Sequence, residues 1–332
     1  MSEAPLLRLR DLRVSFPGSA GELHAVGGVD LDLAAGEFLG VVGESGSGKT
    51  QLLLAMLGLN GERARVAGSI RFRDQELLGA RGTAWQRLRG ARIGMIFQDP
   101  LSALNPYLTI GMQLTEGVRR HQRLGKRAAT HRALALLEAV QLGDGAQRLR
   151  QYPHELSGGM RQRIGIAMAL ICQPDVLLAD EPTTALDVTV QAQILALLRE
   201  LRDSTGVALV LVTHDLGVIA EVADRVCVMY AGRIVEQAPV AELFRASRHP
   251  YTEALRHSLL SLKEPLPERL PTIGGHPPDP AALPPGCAFA PRCQYVFTRC
   301  RSETPALTPI NTGHTRACFH DGPLGRLGTD GN

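Results

Sequence analysis

The chain of 332 residues exceeds the usual size of one compact domain, and its 44% apolar residues are ample for a buried core. A net charge of +3 with 21% charged residues is close to balance, which excludes a global electrostatic case for nucleic acid or an anionic membrane. Uninterrupted apolar runs such as Val207 to Val212 fall far short of the roughly 18 residues that a membrane-spanning helix needs.

Met1 to Arg10 has neither a basic head with a long apolar stretch nor a small-residue cleavage site, so a cytoplasmic location is expected. Leu6 to Phe16, Val29 to Leu33 and Gly68 to Arg73 alternate apolar and polar residues, the pattern of half-buried antiparallel strands. Phe38 to Val42, Ile93 to Phe97, Val176 to Ala179 and Val207 to Thr213 are instead short and almost wholly apolar, as strands of a parallel sheet covered on both faces are. The fold class is therefore α/β, a parallel core flanked by an antiparallel subdomain. Between Asp99 and Cys172 the strand signal disappears, and Ala133, Leu136, Leu137 and Val140 recur at helical spacing, so this block reads as an inserted helical subdomain. Cys172 and Cys227 lie in apolar surroundings.

Beyond Tyr251, prolines 265, 267, 271, 277, 278, 280, 284 and 285 exclude regular helix or sheet and make an extended connector. A small irregular module carrying Cys287, Cys293, Cys300 and Cys318 follows, which divides the chain into residues 1–255 and 256–332; the end from Gly322 to Asn332 is expected to fray.

The chemistry begins at Gly43-Glu44-Ser45-Gly46-Ser47-Gly48-Lys49-Thr50, which follows the strand Phe38 to Val42 and leads into an amphipathic Gln51 to Leu59. In that strand-loop-helix setting, glycines let backbone N–H groups converge on phosphates and the helix start adds positive potential. Lys49 is expected to meet the β- and γ-phosphates, and Thr50 a Mg²⁺ ion. Asp180 ends an apolar strand and can hold Mg²⁺ through water, with Glu181 beside it as general base. His214 closes the strand ending Val210-Leu211-Val212-Thr213, at the carboxyl edge where ligands of α/β folds gather, and is assigned to the γ-phosphate and the attacking water. Gln98 follows another strand, where its amide can reach metal and water. Ser157-Gly158-Gly159 opens a helix over Met160 to Ile171, making an anion site that the chain's own phosphate loop does not need.

Taken with Gln98, Asp180, Glu181, the Ala185-Leu186-Asp187 turn and His214, in this order and spacing, Ser157-Gly158-Gly159 resembles the ATP-binding cassette (ABC) transporter ATPases over roughly residues 6 to 255. The resemblance implies a phosphate-loop NTPase with a parallel RecA-like core, an antiparallel β subdomain and a helical subdomain at about residues 99–172. It also implies two cassettes paired head to tail, each ATP lying between one subunit's phosphate loop (Gly43 to Thr50, with Gln51) and the other's Ser157, Gly158 and Gly159. Phe16 takes the place of the adenine-stacking aromatic, and Asp187 is expected to cross towards the partner's phosphate loop. Met160 departs from the Gln usual in the family.

The stretch Phe97-Gln98-Asp99-Pro100-Leu101-Ser102-Ala103-Leu104-Asn105-Pro106, His249-Pro250-Tyr251-Thr252 and the four-cysteine tail are similar to the oligopeptide and dipeptide importer ATPases, of the D type among dipeptide importers. That likeness implies ATP hydrolysis coupled to peptide uptake at the cytoplasmic face of the membrane. The implied partners are a second, homologous ATPase subunit, two permeases and an extracytoplasmic solute-binding protein. Nickel and other small-solute importers share these features. A soluble ABC ATPase acting on ribosomes or DNA is the rival, but such proteins generally carry two cassettes or a long coiled-coil insert, and neither is present.

Clustered cysteines in a cytosolic protein hold metal more often than disulfides. The spacing Cys287-x5-Cys293-x6-Cys300-x17-Cys318 fits neither Cys-x2-Cys zinc knuckles nor the ferredoxin run, and four thiolates suit zinc and iron alike. The resemblance implies a 4Fe-4S cluster, with Zn²⁺ as the alternative, in a structural role. Arg119 to Arg132 holds six Arg or Lys and no acid; without interleaved aromatics it reads as a solvated helical face, not a nucleic-acid patch.

Overall fold

The computed structural model describes residues 4–18, 21–99, 103–184, 186–258 and 273–324. In chain order the strands are β1 (Leu7–Gly18), β2 (Gly21–Leu33), β3 (Phe38–Val42), β4 (Arg65–Phe72), β5 (Gln75–Glu76), β6 (Ile93–Ile96), β7 (Val176–Asp180), β8 (Ala208–Thr213), β9 (Arg225–Tyr230), β10 (Arg233–Pro239), β11 (Thr308–Asn311) and β12 (His314–Arg316). Contacts gather the chain into two compact units, one of Met1–Leu7, Leu33–Phe38 and Phe72–Val212, the other of Arg8–Asp32, Leu39–Arg71 and Thr213–Asn332.

In the first unit β6, β7 and β8 run parallel, with Ile93 opposite Val176 and Ala179 opposite Leu211. Every residue of β7 and β8 is buried, as their unbroken apolar sequences require of strands covered on both faces. β6 ends one residue earlier than its apolar run suggests, and Phe97 is exposed. Between β6 and β7 the described residues form helices and no strand: Ile110–His121, Lys126–Ala139, Gly145–Arg148 and Gly158–Leu170. Ala129, Ala133 and Leu137 bury one stripe of the second of these, and Val140 caps it inside the core. Arg119, Arg120, Arg123, Lys126 and Arg127 of the basic run are exposed, as a solvated face requires, whereas Arg132 is half-buried and donates to Gln122 Oε1 at 3.0 Å.

In the second unit β2, β1 and β4 lie side by side in one sheet, and another has the order β11-β12-β10-β9-β3. β3 and β9 are parallel, with Val41 opposite Cys227; β9 and β10 are antiparallel. The helix after the phosphate loop, Lys49–Met56, is shorter than expected and not amphipathic, since Leu52, Leu53, Ala55 and Met56 are all buried. The cysteine segment is not wholly irregular either. Its last part folds into the hairpin β11-β12, and β12 extends the sheet by pairing with β10, Arg316 opposite Glu236. Two strands of four and three residues, one containing Pro309, give almost no sequence signal; proline is tolerated there because β11 is the edge strand.

Pro265, Pro267 and Pro271 of the connector, residues 100–102, Ala185 of the turn before Asp187, and most of the end expected to fray (residues 325–332) lie outside the described residues. Among the described residues no helix is long and apolar enough to cross a membrane.

Candidate nucleotide site

β3 delivers the chain to Gly43, and the loop closes on the helix start at Lys49. Gly48 caps that helix with φ 99°, and a Cβ there would stand 2.2 Å from the Ala25 carbonyl oxygen; at Gly43 one would stand 2.3 Å from the Met229 carbonyl oxygen. Both positions exclude a side chain, so the loop keeps its tight path. The Lys49 ammonium is buried and donates to the carbonyls of Gly43 at 2.7 Å and Glu44 at 2.9 Å, close to Ser47 Oγ at 3.5 Å. Ser45, Gly46 and Thr50 are exposed, Gln51 is half-buried, and the Ser47 carbonyl accepts from the Gly232 N–H at 2.9 Å. A buried cation ringed by a loop that ends at a helix N-terminus is a receptor for polyanions. Phe16, near the end of β1, is half-buried, so its ring is neither lost in the core nor fully solvated. The His214 side chain is exposed immediately after β8; next to it Asp215 caps the helix Leu216–Val222 by accepting from the Gly217 N–H at 2.7 Å.

Glu44 has partners that sequence reading missed. Its N–H donates to the Tyr251 hydroxyl at 2.8 Å, and its carboxylate takes two bonds from Arg292, at 2.7 and 3.0 Å. Arg292 lies 248 residues further along the chain, so no local pattern announces the pair.

The first unit holds the other expected site residues. Asp180 is buried at the end of β7. Glu181 follows with φ 43°, a left-handed conformation unfavourable for a non-glycine residue; its N–H donates to the Val212 carbonyl at 2.9 Å and its carboxylate accepts from the Thr184 hydroxyl at 2.9 Å. Gln98 is exposed just beyond β6. Thr50, Gln98 and Asp180 offer oxygen donors, the chemistry that Mg²⁺ takes.

Ser157 caps the helix Gly158–Leu170, its Oγ accepting from the Met160 N–H at 3.4 Å, and a Cβ on Gly158 would meet nothing within 4 Å. That helix start is therefore open to an anion. Asp187 caps the helix Val188–Thr205, accepting from the Val190 N–H at 2.9 Å. The helical subdomain carries an open groove of about 1510 Å³ lined by Met112, Arg119, Arg120, Arg123, Lys126 and Arg150.

All four tail cysteines are free thiols. The Cys287 N–H donates to the Cys300 carbonyl at 2.8 Å, and the His320 N–H reaches Cys318 Sγ at 3.4 Å. N–H groups of Phe289 and Tyr295 likewise serve the sulfurs of Cys287 and Cys293. Burial pushes the thiols of Cys287, Cys293 and Cys318 up, Cys293 to about 11, and their sulfur neighbours push in the same direction. N–H donors aimed at sulfur are what a thiolate ligand needs. Among the described residues, however, no group of three or more His, Cys, Asp or Glu side chains is arranged to hold a metal ion.

The chain matches the family described as ABC transporter over residues 26–184 and the Oligopeptide/dipeptide transporter, C-terminal region, over residues 235–300. It is 49% identical over 317 residues to the oligopeptide transport ATP-binding protein OppD of Mycobacterium tuberculosis, a match covering 95% of this chain and 52% of that protein. The chain thus spans about half the length of that relative. It is 46% identical over 319 residues to a putative peptide import ATP-binding protein, BMEII0206, of Brucella melitensis, covering 96% of each. Among solved structures it is similar to the dimeric ATP-binding cassette MJ0796 in a post-hydrolysis state bound to ADP and Pi, with 27% identity, a TM-score of 0.64, and coverage of 70% of this chain and 98% of that one. With a near full-length relative on one side and the phosphate loop and Ser157 helix start on the other, the chain belongs to the ABC transporter family, in its branch of peptide-import ATP-binding proteins.

Proposed function

We propose that this chain binds and hydrolyses ATP to drive uptake of dipeptides or oligopeptides across the cytoplasmic membrane, working from its cytoplasmic face. The observation that carries the reading is the phosphate loop, with a desolvated Lys49 held at the mouth of a helix. Peptide as cargo is supported by relatives named for peptide import and by the family match of the C-terminal region.

Lys49 and the loop N–H groups from Ser45 to Thr50, with Gln51, bind the phosphates, and Phe16 packs on the adenine. Thr50, Asp180 and Gln98 would hold Mg²⁺, which when bound neutralises charge on the phosphate oxygens. Glu181 takes the proton of the attacking water, and His214 steadies that water and the γ-phosphate. Ser157, Gly158 and Gly159 serve the nucleotide of a second cassette subunit, a role suited to their open helix start, and Asp187 lies along that joint. Two permeases complete the assembly, the groove of the helical subdomain being the surface offered to them, and a solute-binding protein delivers the peptide outside. Residues 1–255 form the nucleotide-binding domain and 256–332 the connector and cysteine-bearing module.

For the four cysteines we infer a structural 4Fe-4S cluster, supported by the gathered sulfurs and their N–H donors. Among the described residues the side chains as they stand form no metal site, so the cluster requires them to rearrange. Iron and acid-labile sulfide measured on anaerobically purified protein decide this; zinc without iron removes the cluster.

The function is tested by co-expressing the chain with its cassette partner and permeases and reconstituting them in vesicles. ATP-dependent accumulation of a labelled dipeptide is expected. Retention of the chain on ribosomes, with no membrane association, would overturn the transport reading.

A further inference from the structure

The Arg292 guanidinium is almost fully enclosed, its side chain only 3% exposed, and all its groups are engaged. Nη1 donates to Glu44 Oε2 at 2.7 Å and the Tyr230 hydroxyl at 3.2 Å; Nη2 donates to Glu44 Oε1 at 3.0 Å and the Ile273 carbonyl at 3.2 Å; Nε donates to the Gly274 carbonyl at 2.8 Å. Its carbon lies 5.8 Å from the ring centres of both Tyr230 and Phe289. Tyr230, Tyr251 and Phe289 pack on one another with centroids 4.5 to 5.4 Å apart, so the cation sits against an aromatic wall. The same wall presents the Tyr251 hydroxyl to the Glu44 N–H. A phosphate-loop residue is thus gripped at its backbone by one C-terminal residue and at its carboxylate, bidentately, by another.

We propose that Arg292 is a positioning residue for ATP binding: through Glu44 it holds the phosphate loop in the shape that receives the nucleotide, so that the cysteine-bearing segment sets ATP affinity. This rests on the ATP reading above. A loop freed from the brace occupies its binding shape only part of the time, and apparent affinity falls by that fraction. Chemistry in the bound state does not use Arg292, so turnover at saturating ATP stays near its original value while KM rises.

Charge alone makes a different forecast. Glu44 stands beside the phosphate site, so without a brace Glu44→Gln would remove a repelling carboxylate and tighten ATP binding. The brace requires the reverse.

The test is binding of a non-hydrolysable ATP analogue with Mg²⁺ to the full chain, together with KM and kcat for ATP. Expected are dissociation constants raised about tenfold for Glu44→Gln and for Arg292→Ala, no further loss in the double variant, and partial recovery in Arg292→Lys. Should Arg292→Ala not fold by circular dichroism, Glu44→Gln and Arg292→Lys carry the test. Unchanged or tighter binding in Glu44→Gln, additive losses in the double variant, or a fall in kcat without a rise in KM would overturn the brace. Failure of the unaltered chain to bind the analogue would instead strike at the ATP reading itself.

Discussion

Lys49 meets two carbonyls of its own loop, so its charge is already stripped of most water and aimed before any phosphate arrives. Lys49→Ala is therefore expected to weaken ATP binding at least tenfold, measured by titration with a fluorescent nucleotide; equal affinity would remove Lys49 from the site. Glu181 differs because, as the proposed general base, it acts only in the chemical step. Glu181→Gln should leave ATP binding intact and slow turnover by about 10²-fold or more, since one well-placed catalytic group supplies on the order of 3 kcal/mol. Steady-state ATPase rates check this, and an unchanged kcat would require another base. These residues were legible because each lies in a short motif whose spacing carries its chemistry. Arg292 was not, because its partner Glu44 is close only after the chain has folded, and an arginine beside Cys293 has no distinguishing neighbours in sequence.

Several helices of this chain begin on a capping side chain: Thr109, Ser157, Asp187 and Asp215 each accept a backbone N–H of the first turn. Such starts were readable where a motif drew attention to them, as at Ser157. At Asp187 the structure adds a local task to the expected interface role. Asp187→Ala should cost about 1 kcal/mol of stability and lower the melting temperature by roughly 2–4 °C. Asp187→Asn, which keeps an accepting oxygen, should melt near the unaltered chain in calorimetry. Equal melting of both variants would mean the cap is idle. The buried apolar strands β3, β6, β7 and β8 were likewise legible; β9, although buried, was passed over because Arg225 and the Asp224 before it shorten its apolar run, and β10 was missed because Glu236 interrupts its own. That carboxylate is fully buried yet satisfied: it accepts from the N–H groups of Arg248 at 2.6 Å and His249 at 3.0 Å and lies 2.8 Å from His314 Nε2.

For the molecule as a whole, the same region sets its response to acid. Burial pushes His249 down to about 4, with Glu236 opposing and Arg316 assisting. The unfolded chain, with its histidine near 6.5, takes up a proton that the folded chain refuses, so stability is complete above pH 6.5 and declines as pH falls towards 4. The loss is at most about 3 kcal/mol. Urea denaturation at a series of pH values should show it, and a midpoint no lower at pH 4.5 than at pH 7 would contradict a neutral buried His249.

The hairpin at the end of the chain makes residue 255 a poor place to cut. A shortened polypeptide ending there keeps every ATPase motif but uncovers one side of β10, leaving its backbone donors and acceptors as a template for other chains, and it strips Glu236 of its histidine neighbour inside the protein. The expected product is an insoluble cassette, while one cut behind residue 324 should stay in solution.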